Sequence, residues 1–141
     1  MIDKQRNGDT IVIPSSPDFI AAVDEFLETW LRERDVPDDT VADLAIAITE
    51  LVNNAIKHGN KKDPSKKVTV QLRLADSQAE ATISDEGPGF NPENVPDPVA
   101  EENLMKEIGR GIFIVRSLMD SIEFAFPKEG GTQVKITKKI T

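Results

Sequence analysis

The chain has 141 residues, the size of one ordinary domain, which is enough to bury a core but too few for two independent ones. Its 17 Lys and Arg stand against 25 Asp and Glu, a formal charge of −8. That balance argues against non-specific binding to nucleic acid, which needs surplus cations facing phosphates. There is no cysteine, so disulfides, thiolate metal sites and cysteine nucleophiles are excluded.

The opening MIDKQRNGDT is polar and lacks the apolar centre of a signal peptide. No apolar run approaches the roughly 20 residues that span a bilayer, so a cytoplasmic protein without a membrane partner is expected. Thr10 to Pro14 reads as a short strand, and Ser15-Ser16-Pro17 supplies a hydroxyl cap and a proline suited to a first helical turn. Phe19, Ile20, Val23, Phe26, Leu27, Trp30 and Leu31 then recur at helical spacing, with Trp30 expected in the core rather than against a ligand. Pro37-Asp38-Asp39 starts a second helix, its acids at the positive end of the dipole. Val41, Leu44, Ile48, Leu51, Val52 and Ala55 form that helix's buried face, and Gly59 offers a left-handed stop. The polar stretch from Asn60 to Lys67 reads as a solvated connection.

Val68, Val70, Leu72 and Leu74 alternate along one strand, and Ala79, Ala81 and Ile83 along the next, with a turn around Ala75 to Gln78 between them. Phe90 to Ile108 is irregular, with Pro92, Pro96 and Pro98 and many acids, and reads as a functional or mobile loop. Gly109-Arg110-Gly111 opens a third helix, Ile112 to Met119, apolar enough to be expected buried. Two last strands, Ile122 to Phe126 and Thr132 to Ile140, flank a turn at Lys128 to Gly131. The order β-α-α-β-β-loop-α-β-β predicts an α+β chain, a two-layer sandwich with helices on one face of a mainly antiparallel sheet, and one domain over 1–141.

Four short motifs carry the candidate chemistry. In Glu50-Leu51-Val52-Asn53-Asn54, Glu50 and Asn54 stand four apart and project from one face of the helix. An amide oxygen suits Mg²⁺, which takes oxygen ligands and fills its octahedron with phosphate oxygens and water. A carboxylate one turn away can accept a proton from an attacking hydroxyl or water. Alone, this spacing also describes the polar edge of any amphipathic helix. At the strand end Asp85-Glu86-Gly87-Pro88-Gly89, an ionised Asp85 only accepts hydrogen bonds, and so selects adenine's exocyclic amine over guanine's carbonyl. Gly87 and Gly89 would let the backbone approach the base and take positive φ, although a tight turn satisfies the same residues. Gly109, Arg110 and Gly111 before an apolar helix form either an anion cradle or a hinge, and Arg110 could add a charge-assisted contact. No Gly-Lys-Ser/Thr follows, so this is not a Walker A loop. Gly130-Gly131-Thr132 is either a hairpin turn or a place where the Thr132 hydroxyl reaches a base. His58, the single histidine, closes the second helix, where a cation suits the dipole, and with no cysteine it does not build a metal cluster.

The order and spacing of these motifs resemble the GHKL or Bergerat-fold ATPases, the histidine-kinase-like superfamily of gyrase, Hsp90, MutL and histidine-kinase catalytic domains. The resemblance runs from about Asp38 to Thr141. Within it, the SSPDFIAAVDEF, ELVNNAIKHGN, SDEGPGF and GRGIFIV stretches are similar to the anti-sigma factor serine kinases of bacterial partner-switching modules. The resemblance implies ATP and Mg²⁺ as cofactors, a serine on a small anti-anti-sigma (STAS-domain) protein as substrate, a sigma factor as second partner, and a homodimer. It further implies Glu50 as general base, Asn54 as metal ligand, Asp85 as adenine reader, and Gly87, Gly89, Gly109 and Gly111 as residues shaping the pocket, with Thr132 near the base. The family's lid arginine has no counterpart before Gly109, where Lys106 stands instead, so Lys106 and Arg110 both remain candidates for the terminal phosphate. Two other readings fit parts of the pattern: an ATP-organised scaffold without catalysis, and a histidine-kinase fragment, against which stands the lack of any histidine before Asp38.

Overall fold

The computed structural model describes residues 8–87 and 109–140. Strand β1 runs Gly8–Pro14 and is followed by a short 3₁₀ turn at Pro17–Phe19 and helix α1, Ile20–Arg32. The Ser16 hydroxyl accepts from the Asp18 amide at 3.3 Å, so the cap expected from Ser-Ser-Pro forms on the 3₁₀ turn rather than on α1 itself. Helix α2 spans Asp38–Asn54, and strands β2 and β3 span Lys67–Ala75 and Gln78–Ser84. Residues 109–118 form helix α3, and strands β4, Ser121–Ala125, and β5, Gln133–Lys139, complete the fold.

The five strands form one antiparallel sheet in the order β1-β2-β3-β5-β4, with β1 and β4 at its edges. The period-two pattern decides which face is buried. Val68, Val70 and Leu72, Ala79, Ala81 and Ile83, and Val134 and Ile136 are all buried, in a register that sets Val70 against Ile83 and Ile83 against Val134. Alternate residues carry charge instead, and Glu80 pairs with Arg73 and Lys135 across neighbouring strands, both at 3.8 Å. Val23, Phe26, Leu27, Trp30 and Leu31 of α1 and Val41, Leu44, Ile48, Leu51 and Val52 of α2 close the core over the sheet. Trp30 is in that core as its spacing predicts, with the Arg34 guanidinium 4.0 Å above its ring. Helices packed on one antiparallel sheet make this the expected α+β, two-layer arrangement.

The third helix departs from expectation. Val115 and Met119 are buried, but Phe113 is 72% exposed and Ile114 36%. An apolar sequence had suggested burial on every side; only the stripe through Gly111, Val115 and Met119, at helical spacing, is covered.

Candidate functional site

Helix α2 presents Glu50 and Asn54, both half-buried, from its last two turns. Gly111 lies against them: a Cβ there would stand 3.1 Å from Glu50 Oε2 and 3.2 Å from Asn54 Nδ2. The structure therefore brings three of the residues singled out from sequence into one cluster. Past Asn54 the helix widens into a single π turn, Ala55–Gly59, in which the Asn60 amide donates to Ala55 O at 2.8 Å. His58 belongs to this turn and lines the cleft described below.

The Asp85 wall is built from main chain. Asp85 Oδ1 accepts from the amides of Gly87 and Thr132, each at 3.1 Å, and the Asp85 amide itself donates to Thr132 O at 3.0 Å. Among the described residues no donor meets Oδ2, which points to Gly59; a Cβ on Gly59 would stand 2.2 Å from it. Burial raises the Asp85 carboxyl above its usual range, against the lowering effect of the two amides and of Lys66. Thr132 thus meets Asp85 through its backbone amide and carbonyl.

Two glycines do a different job from the one expected. Gly59 was read as a left-handed helix stop and Gly87 as a glycine that approaches a base and takes positive φ, yet among the described glycines only Gly130 and Gly131 have positive φ. What Gly59 and Gly87 supply is close approach: a Cβ on Gly87 would fall 1.6 Å from Gly59 O. At Gly131 both needs coincide, with φ of 87° and a Cβ position 2.2 Å from Asp85 O.

One cleft joins Asn54 to the Asp85 wall, and Glu50 and Gly111 are not among the described residues that line it. Asn54, Asp85 and Thr132 all line it, with Leu51, Ala55, Ile83, Ile112 and Val134 as apolar walls. Phe124 and Phe126 also line it, 42% and 58% exposed; both were read only as part of a strand, and nothing in their spacing distinguishes a cleft wall from a sheet edge. Gly109 and Arg110 are exposed and are not among the described lining residues, and a Cβ at Gly109 would meet nothing within 4 Å. Gly89, Lys106 and the loop from Phe90 to Ile108 lie outside the described residues.

Asn60 closes the ELVNNAIKHGN stretch, with no role of its own expected. It was read as the start of a solvated connection, yet it is 1% exposed. Its Nδ2 donates to Ser15 Oγ at 2.6 Å and Lys67 O at 2.9 Å, and its Oδ1 accepts from the Glu86 amide at 2.8 Å. A lone Asn in a polar loop carries no signal of this.

A helix pair thus packs over an antiparallel sheet, with a cleft between Asn54 and the Asp85-Glu86-Gly87 loop. Residues 13–138 match the histidine kinase-like ATPase domain family, and the chain belongs to that family. Among similar proteins, an anti-sigma F factor from Oceanobacillus iheyensis is 30% identical over 115 residues, covering 80% of this chain and 79% of that protein. The serine-protein kinase RsbW of Listeria innocua is 27% identical over 137 residues, 93% of this chain and 86% of the relative. The resemblance to anti-sigma serine kinases holds with these relatives. In fold, the chain is similar to the crystal structure of the RsbU and RsbW domains of Rv1364c from Mycobacterium tuberculosis, with a TM-score of 0.70 and 22% identity over 94% of this chain and 32% of that one. It is also similar to the catalytic domain of the histidine kinase ThkA, with a TM-score of 0.55 and 14% identity over 94% of this chain and 97% of that one. No helix among the described residues is long and apolar enough to cross a membrane.

Proposed function

We propose that this chain is an ATP-dependent serine protein kinase that also acts as an anti-sigma regulator, phosphorylating a small anti-anti-sigma (STAS-domain) protein. The observation that carries this reading is the Asp85 carboxylate, with Oδ1 held by two amides and Oδ2 without a donor among the described residues, in the same cleft as Asn54. Oδ2 accepts the exocyclic amine of adenine, while guanine's carbonyl would meet it with repulsion. The apolar walls around Ile83, Ile112 and Val134 take the faces of the ring.

At the other end, the Asn54 amide oxygen would supply one ligand to a magnesium ion held together with the nucleotide's phosphates; among the described residues no cluster of three or more His, Cys, Asp or Glu could hold a metal by itself. The ion, when bound, neutralises charge on the phosphates. Glu50 stands beside Asn54 to receive the proton of the partner's serine. As that hydroxyl oxygen bonds to the γ-phosphorus, the bond to the β,γ-bridging oxygen breaks, its electron pair leaves with ADP, and the proton passes to the Glu50 carboxylate. A sigma factor is the second partner, in keeping with the anti-sigma name of one relative. The chain works as a single domain in the cytoplasm and as a homodimer. Among the described residues β1 stands at an edge of the sheet, with Val12 51% exposed, which supports that pairing.

Incubation with Mg-ATP and an anti-anti-sigma protein, followed by mass spectrometry, should find one phosphoserine on the partner. Nucleotide-dependent binding with no transferred phosphate would establish the scaffold reading instead.

A further inference from the structure

Four segments meet at Asn60: the end of β1, the π turn, the start of β2 and the Asp85-Glu86-Gly87 loop. A carboxamide has two N–H donors and one oxygen acceptor, and here all three functions are used in a site with 1% exposure. Turning the amide over would set Nδ2 against the Glu86 N–H and Oδ1 against Lys67 O, so the network fixes its orientation. Ser15 Oγ, which accepts from Nδ2, donates in turn to Lys66 O at 2.8 Å. Glu86 completes a ring: its carboxylate accepts the Lys67 amide while Asn60 donates to the Lys67 carbonyl. One residue of β2 is thus gripped through both of its main-chain groups.

The consequence falls on Asp85. Its following peptide is held by Asn60 at the Glu86 N–H, and the next amide, Gly87 N, donates to Asp85 Oδ1. Gly87 cannot shift toward the π turn, because it already packs on Gly59 O. The direction in which Oδ2 points is therefore set by main chain that Asn60 anchors. We infer that Asn60 is a positioning residue for base selection: its side-chain oxygen, through the Glu86 amide, aims the Asp85 carboxylate so that the cleft prefers adenine to guanine nucleotides. The inference rests on the reading of Asp85 as the adenine acceptor.

The test is the ratio of dissociation constants for Mg-GTP and Mg-ATP, measured by calorimetry on the full chain. A variant that is partly unfolded weakens both apparent affinities by the same factor, so the ratio is blind to a merely structural role. In Asn60→Ala the ratio should shrink by about tenfold as the loop loses its anchor. Asn60→Asp keeps an oxygen for the Glu86 amide and loses the donors to Ser15 and Lys67; it should keep the preference while melting earlier. Ser15→Ala, which loosens the β1 side alone, should behave likewise. An unchanged ratio in Asn60→Ala overturns the inference, as does an equal loss of preference in Ser15→Ala. Should Asn60→Ala not fold, a lost preference in Asn60→Asp overturns it equally. Unmodified protein that binds neither nucleotide, or binds both alike, instead refutes the reading of Asp85 on which the inference stands.

Discussion

The two ends of the cleft are built from different materials. Around Asp85 the parts are main chain: two amides on Oδ1, and glycines at 59, 87 and 131 whose missing Cβ atoms let strand, turn and loop touch. Around Glu50 and Asn54 the parts are side chains on a helix, half-buried and meeting Gly111 through their flexible ends. Backbone held on both sides has almost no freedom to adjust, whereas side chains change rotamer. The end that would choose the nucleotide is therefore rigid, and the end that would react is adjustable, able to tighten when partner and phosphates arrive.

The largest expected effect tests the reacting end. Glu50→Gln should cut the rate of phosphate transfer by about 10²- to 10⁴-fold while ATP affinity, read by calorimetry, changes little. Equal loss of binding and rate would mean that Glu50 belongs to the rigid half. Next, Asp85→Asn replaces the acceptor at Oδ2 by a donor and should weaken ATP binding by about 10- to 100-fold. ATP affinity unaltered in that variant would remove Asp85 from base recognition.

The contrast in stiffness predicts opposite outcomes for two identical changes. Gly59→Ala drives a methyl into a carboxylate that two amides hold in place, and should cost about 1–3 kcal/mol in urea unfolding. Gly111→Ala meets only movable side-chain ends within a helix, where alanine is favoured over glycine by about 1 kcal/mol, so stability should hold or rise while transfer slows. Similar losses of stability in both would erase the distinction.

The smallest effect is on pH dependence. Because burial raises the Asp85 carboxyl in the folded chain, the native state holds its proton more tightly than the unfolded one. This group thus favours the nucleotide-free fold as pH falls through the raised value, and that contribution is lost as pH rises through it. Adenine needs the ionised form, so the rise in melting temperature caused by Mg-ATP should shrink on acidification, starting above the ordinary aspartate range. The Asp85→Asn chain should lack that component.

Most of the fold was legible because periods of 3.6 and 2 report burial directly: Leu44, Ile48 and Leu51 on α2, or Val68, Val70 and Leu72 on β2. The Glu50–Asn54 pairing was readable for the same reason, since helical spacing fixes a shared face. What escaped depends on contacts between segments distant in the chain. Gly59 looked like a conformational glycine, and nothing set Gly87 against it, because their close approach exists only once Asp85 and the π turn are side by side. Asn60 looked solvated because its side-chain partners Ser15 and Glu86 lie on segments far away in the chain. Phe113 looked buried because the composition of a short helix does not say how much of its circumference is covered.

The wide turn at Ala55–Gly59 has one more implication. It inserts a residue into what would otherwise be an ordinary helical end. Removing one residue there would restore regular winding and swing everything beyond it by about 100°. Asn60 would leave Ser15, Gly59 would leave Asp85, and Ile56, fully buried within the turn, would be displaced as well, while Val41, Leu44, Ile48, Leu51 and Val52 before the turn would keep their places. A length change of one residue would thus suffice to disassemble the wall around Asp85.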